Sequence, residues 1–438
     1  MNLNVLTLRH PITLLRMGYR KLRSRLHSGA PRPSSTPAES SEPLIDVQEL
    51  IRNHSIEELN RSAEAYFSTL RSWDFHLSKP FCSTAEAPAL LINFATMLQG
   101  LRLAPGLRVL DFGAGSGWTS RFLTQLGCEV ILLDVSASAL RIAEELYARQ
   151  PVIGDRPAPR FLVFDGRKID LPDGSVDRIL CFDAFHHAPN PDDVLREFAR
   201  ILAPGGIAAF AEPGPEHSKT QQSQFEMRSF GVIENDIHLD RIWATASKAG
   251  FARVEVAAYN IPPFHVALEG YDDLLAGGET YLRWAESTRS FLGAVRNFFL
   301  VREGEEVLDS RHRGPELRAV IRIEMPGTAD GRGVPVVALV RNDGRAAWLP
   351  SGVSPGGVSL GVHLRNAKGD VQEHDFHWES LGQPPRRIEP GDEVKLKFTL
   401  PELTAGDYLI EFDCVADRIC WFGEVGSPVI RIPLQVRA

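Results

Sequence analysis

The chain has 438 residues, 43% hydrophobic and 24% charged, with a formal net charge of −8. That length exceeds what one compact core takes, so two or three domains are expected, and the composition excludes wholesale disorder. The negative balance excludes general nucleic-acid binding, and no apolar run approaches the length of a membrane span. Five scattered cysteines (Cys82, Cys128, Cys181, Cys414 and Cys420) lack metal-ligand spacing and read as reduced thiols of a cytoplasmic protein.

Residues 1–45 are expected to form a basic amphipathic segment and linker. Met1 to Ala38 carry seven Lys or Arg and no acid, so the rest of the chain holds −15. Ile12, Leu15, Tyr19, Leu22 and Leu26 recur at helical spacing, with Arg16, Arg20, Lys21, Arg23 and Arg25 largely off that stripe. Two readings stand: peripheral contact with an anionic membrane surface, or a solvated tail or partner-binding helix. A secretory signal is not expected, because Arg9, His10, Pro11 and Arg16 interrupt any apolar core.

Residues 46–310 alternate strand-like apolar runs with helical patterns, which predicts a parallel sheet in an α/β doubly wound domain. Ser55-Ile56-Glu57-Glu58 and Ser83-Thr84-Ala85-Glu86 each fit a capping box. Strands are expected at 108–112, 130–133, 161–164, 178–182, 207–211, 254–258 and 298–301. Helices are expected at 118–126, about 137–149 and about 239–249, and one starts with Asn190 as cap and Pro191 in its first turn. The stretch at about 260–294 is long for a connection and reads as a functional cap. From residue 311 to 438 the period changes to two, with turns at Asn342-Asp343-Gly344 and Pro390-Gly391-Asp392, which predicts an all-β sandwich.

The most informative segment is Asp111-Phe112-Gly113-Ala114-Gly115-Ser116-Gly117 between a strand and a helix. Glycines let the backbone turn sharply and approach a ligand, and the helix start supplies free amides. A carboxylate at the strand end would repel a diphosphate and welcome an ammonium group. Asp134, ending the next strand, is placed to accept two ribose hydroxyls, and Asp165 before Gly166 to accept an adenine amino proton. Three acids at consecutive strand ends would line one crevice.

These residues resemble the class I S-adenosylmethionine-dependent methyltransferases. Leu171-Pro172-Asp173-Gly174 and Pro204-Gly205-Gly206 also resemble the bacterial small-molecule branch related to quinone methyltransferases. The resemblance implies that Asp111, Gly113, Gly115 and Gly117 hold the methionine part of S-adenosylmethionine, Asp134 the ribose, and Asp165 with Gly166 the adenine. Asp183 joins the expected cofactor-binding set. A hydroxyl acceptor needs a base, and the candidates follow the fourth and fifth strands: His187, His217 and Glu212, with His186 read instead as a polar contact. Asp183 with Glu212 could hold Mg²⁺, but the Asp-Asn pair expected of such enzymes is missing, so no metal is expected. Trp73 to Phe81 mixes aromatic and polar side chains, either a stacking surface or a buried anchor.

The C-terminal stretch resembles Ig-like domains of bacterial polysaccharide-export proteins at Leu339 to Gly344, Trp348, Leu360-Gly361, Gly406 to Tyr408 and Trp421-Phe422. Trp348 and Trp421 read as core. Taken together, the expectation is an O-methyltransferase acting on a saccharide in bacterial surface-glycan biosynthesis. The alternatives are a quinone or phenol methyltransferase, or an inactive cofactor-binding scaffold for a glycan-recognition sandwich.

Overall fold

The computed structural model describes residues 43–437 apart from 105, 155, 306–307, 330–332 and 385. The expected basic helix at the N-terminus lies outside the described residues. The chain divides into two compact units, one with residues up to Leu103 and Arg108–Glu305, the other with Ala104–Leu107 and Glu306–Ala438.

The first unit opens with helices α1 (Val47–Asn53), α2 (Ile56–Ser68), α3 (Asp74–Leu77) and α4 (Ala87–Leu101). Ser55 and Glu58 form the expected capping box at α2. The box expected at Ser83 does not form. Helix α4 starts later, at Ala87, because a turn in which the Ser83 carbonyl accepts from Glu86 and Ala87 precedes it. Then come β1 (Arg108–Phe112), α5 (Trp118–Gln125), β2 (Glu129–Asp134), α6 (Ala137–Arg149), β3 (Arg160–Val163) and β4 (Val176–Phe182). They are followed by α7 (Pro191–Ile201), β5 (Leu202–Pro213), α8 (Gln221–Phe230), α9 (Leu239–Ala249) and β6 (Phe251–Val256). The unit closes with α10 (Tyr271–Leu275), α11 (Glu279–Ala294) and β7 (Val295–Arg302).

These strands form one sheet in the order β3-β2-β1-β4-β5-β7-β6. β1 to β5 pair in parallel, while β7 runs antiparallel to both β5 and β6. The sheet is therefore mixed, against the expectation of a parallel one. Val109 to Phe112 and Arg178 to Cys181 are buried at every position, as strands covered on both faces must be. Helices α7 and α9 share one core with the sheet, through Phe198, Ile242, Ala246, Phe210 and Phe298; the last two rings stack 4.5 Å apart. At Asn190 the cap is positional only, since its side-chain amide donates to the Gly166 carbonyl.

Within 260–294, Leu268 ahead of α10, Leu275 at its end, and Leu282 and Trp284 on α11 are exposed. The Gly214 N–H at the end of β5 donates to the Ala294 carbonyl that ends α11.

The second unit is a two-sheet sandwich. One sheet holds β8 (Ala319–Glu324), β10 (Val334–Asn342) and β13 (Glu393–Leu400). The other holds β9 (Thr328–Ala329), β11 (Val358–Asn366), β12 (Val371–Ser380), β14 (Gly406–Ala416) and β16 (Ile430–Val436), with β15 (Cys420–Trp421) paired to β14. Inward residues of both sheets, among them Val336, Ala338, Val340, Leu360, Val362, Ile410 and Phe412, make one core. Trp348 is fully buried in it. Trp421 is only partly covered, lying over Gly361 and against His363. The periodicity did not predict β12, an edge strand whose Val371 to Asp375 are all exposed and polar but for Val371.

Candidate active site

The strand order reverses between β1 and β4, and the crevice beyond their carboxyl ends is where ligands bind in doubly wound sheets. The loops after these two strands touch. A Cβ on Gly113 would stand 2.4 Å from the Ala184 Cβ, and Gly113 has φ +67°. Glycine is therefore required at 113 by space as well as by backbone conformation.

On one side of the crevice the glycine loop is held from beneath. The Gly113 and Ala114 N–H groups donate to the Leu133 carbonyl. Asp111 is buried, and its Oδ2 accepts the hydroxyls of Thr119 and Ser120 at the start of α5. Burial pushes its carboxyl up to about 6, against the pull of those two hydroxyls. Asp134 is buried as well, with Oδ2 accepting from Gly115 N and Oδ1 from Ser136 N, both at 2.8 Å. Burial raises its pKa, opposed by those two amides and by the charge of His187. Each of its oxygens keeps a further lone pair, enough for two hydroxyls. A Cβ on Gly115 would meet only the Gly113 carbonyl, at 4.0 Å, so a ligand can approach the backbone there. This donor set fits a nucleoside with a cationic amino-acid tail. Gly117 caps α5 with φ +73°.

Asp165 is placed differently. It is exposed, and its Oδ1 accepts from Arg167 N and Lys168 N, closing its own turn. Gly166 packs against α2, where a Cβ would stand 2.5 Å from Ile56 Cγ2. Asn60 of the same helix donates to the Asp165 carbonyl. Glu64, further along α2, accepts from Ser136 Oγ and Ser138 N and braces the Asp134 loop. Sequence reasoning missed Asn60 and Glu64, since nothing in a helical repeat marks which polar positions face a distant loop. From α3, the His76 carbonyl accepts the Ser116 hydroxyl, so the Trp73–Phe81 segment packs on the glycine loop as an anchor.

On the other side stand the loops after β4 and β5. Glu212, expected as a rim base, is instead buried in their foundation. Its Oε1 accepts from Ala184 N and Phe185 N, and its Oε2 accepts from His186 N and lies 2.7 Å from His186 Nδ1. A carboxylate so fully occupied has nothing left for an acceptor proton. Burial disfavours a charged His186 ring, but Glu212 outweighs it and lifts the ring to about 9. Asp183 is exposed with φ +55°, its N–H donating to the Ala211 carbonyl.

His187 is the half-exposed imidazole of the group, 43% open at its side chain. Its Nδ1 lies 2.6 Å from the Ile233 carbonyl, so Nδ1 carries the proton and Nε2 is the basic atom. His217 Nε2 lies 2.7 Å from Glu234 Oε2. The loop bearing Glu234 is fixed by Asn235, whose N–H donates to the His186 carbonyl and whose amide donates to Ala188. Asp236 accepts from the Ser218 N–H and hydroxyl. Burial would raise the Glu234 carboxyl, but His217, His187 and His186 hold it down at about 2. Glu234 and Asp236 were missed because they sit in an aperiodic stretch, and only the fold brings them to the histidines.

Residues 110–210 match the family described as a methyltransferase domain. The ubiquinone/menaquinone biosynthesis C-methyltransferase UbiE of Ectopseudomonas mendocina is 32% identical over 128 residues, 28% of this chain and 48% of that protein. Squalene methyltransferase 1 of Botryococcus braunii is 26% identical over 181 residues, 40% of this chain and 47% of that protein. Against these relatives the chain spans about half their length. Among solved structures, phosphoethanolamine N-methyltransferase 2 of Haemonchus contortus, in complex with S-adenosyl-L-methionine, is 18% identical. It has a TM-score of 0.40 and covers 57% of this chain and 60% of that one.

Proposed function

We propose that this chain, which carries an S-adenosylmethionine-dependent methyltransferase domain, methylates a hydroxyl oxygen of a polar acceptor, a saccharide. The observation that carries the reading is His187, whose Nδ1 is tied to the Ile233 carbonyl. Its Nε2, on a side chain 43% exposed, is thereby left as a proton acceptor.

S-adenosylmethionine, when bound, supplies an electrophilic methyl group on a sulfonium. Asp134 binds the ribose hydroxyls with the lone pairs that Gly115 and Ser136 leave free. The glycine loop lets the amino-acid tail approach the backbone at Gly115, and Asp111 ties the end of β1 to the start of α5. His187 Nε2 takes the acceptor's proton as the oxygen–carbon bond forms, and the sulfur–carbon electron pair stays on sulfur. An alcohol is too weak an acid to ionise first, so the two events coincide. Alignment then matters more than charge stabilisation.

Three imidazoles and a buried glutamate line the acceptor side, which suits a hydroxylated acceptor better than a hydrocarbon. The C-terminal sandwich supports the choice of a saccharide through its sequence resemblance to polysaccharide-export domains. A phenol or quinol is the second reading, favoured by the identity to UbiE over 128 residues. Radiolabelled donor should be incubated with the full chain and either hydroxyl-rich oligosaccharides or prenylated quinols. Label on oxygen of the sugars supports the proposal; label only on the quinols, or on carbon, overturns it.

A further inference from the structure

On the acceptor side, His186, His217 and Glu234 each bring one ligand-type atom within 4.8 Å of the other two. All three are held from outside the group. Glu212 grips Nδ1 of His186, leaving Nε2 to ligate. That carboxylate–imidazole arrangement orients a metal-binding histidine and raises its basicity. His217 comes from the loop after β5, and Asn235 pins the loop that carries Glu234.

Glu234 supplies a second, independent sign. Its side chain is 4% exposed, and while Oε2 reaches His217, Oε1 is buried without a hydrogen-bond partner. His187 Nδ1 stands 3.6 Å from it and donates to the Ile233 carbonyl instead. A buried carboxylate oxygen left unpaired carries a desolvation cost, and a hydrogen bond between His217 and Glu234 does not remove it. A cation between the three side chains does.

We propose that His186, His217 and Glu234 bind a divalent transition-metal ion of the zinc class. Two imidazoles and one carboxylate suit zinc, cobalt or iron, whereas magnesium prefers an all-oxygen shell. Three protein ligands leave a position open, which is the pattern of catalytic metal sites. This departs from the sequence expectation of no metal. It also deepens the proposed function: an acceptor hydroxyl entering the open position would be polarised next to His187 Nε2. Only that role rests on the methyl-transfer reading; the ion site stands by itself.

The test uses the full chain, stripped with a chelator and titrated with Co²⁺, whose visible ligand-field bands report nitrogen and oxygen ligands. One Co²⁺ per chain, displaced by Zn²⁺, is expected. Glu234→Gln and His217→Ala should each weaken Co²⁺ binding by roughly 100-fold or more, with unchanged near-ultraviolet circular dichroism. Absence of a stoichiometric band, or equal affinity in both folded variants, overturns the site. Calorimetric titration of the stripped chain with S-adenosylmethionine reads the methyltransferase assignment separately, since Asp134 and the glycine loop do not touch the ion.

Discussion

On the donor side of the crevice the two buried acids make local contacts: Asp111 reaches hydroxyls eight and nine residues on, and Asp134 reaches back nineteen to Gly115, while Glu64 and Asn60 of α2 brace the loops from outside. On the acceptor side the contacts join separate loops. Glu212 holds His186 across 26 residues, Glu234 meets His217 across 17, and the Ile233 carbonyl holds His187 across 46. A strand, a loop and a helix in sequence prearrange the two acids of the first half. The second half exists only when three loops are in place together, so loss of Glu212, which ties two of them, should disturb the fold as well as the chemistry.

The largest effect expected is on catalysis. His187→Ala should lower turnover by roughly 10²–10⁴, the contribution of a positioned general base, with donor affinity unchanged in calorimetric titration. Near-normal turnover in this variant would break the comparison, because the acceptor half would then contain no base.

Next in size is a fold effect on the same side. Glu212→Ala strands three buried amides and the His186 ring, and removing one partner of such a buried pair costs about 3–5 kcal/mol, measurable by urea unfolding. A pH dependence goes with it. His186 is raised in the folded chain to about 9 from an ordinary 6.5. Its stabilising contribution is therefore complete below about pH 6.5 and lost as pH rises through about 9. The urea midpoint of the chelator-stripped natural chain should fall over that window and lose that slope in Glu212→Ala.

The same contrast explains what was legible in the sequence. Gly113 to Gly117 and Asp134 could be read because their contacts lie within one strand–loop–helix–strand unit, where spacing fixes geometry. Glu212 was read as a rim base because position after a strand says nothing of burial; the turn at Phe185–His187 claims its carboxylate. Asp165 sits at the expected strand end, yet Asx-type bonding to its own loop is equally open to an aspartate there. The direction of β7 was hidden as well, since an apolar run such as Phe298 to Val301 reads alike in either direction. Edge strand β12 was lost because an exposed strand carries no apolar alternation.

The donor half should respond more mildly. Asp134→Ala should weaken S-adenosylmethionine binding by about 1.5–3 kcal/mol, the range for hydrogen bonds to a charged group. The chain should stay folded, since Gly113 and Ala114 still donate to Leu133. Unchanged affinity in a folded variant would take Asp134 out of the site.

The smallest effect should come from Gly115→Ala, which separates the two halves most cleanly. Gly113 touches Ala184 across the crevice, so a substitution there mixes both sides. Gly115 does not: an added Cβ has open space, and the cost is that of a left-handed backbone at φ +54°, about 1–2 kcal/mol. Its N–H to Asp134 is a backbone group and survives the change. Combined with Asp134→Ala, the two stability losses should fail to add by about 0.5 kcal/mol or more, since residues 115 and 134 are in direct contact. Combined with Glu212→Ala, they should add to within about 0.5 kcal/mol. Coupling of Gly115 to Glu212 as strong as to Asp134 would mean that donor and acceptor sides form a single cooperative unit.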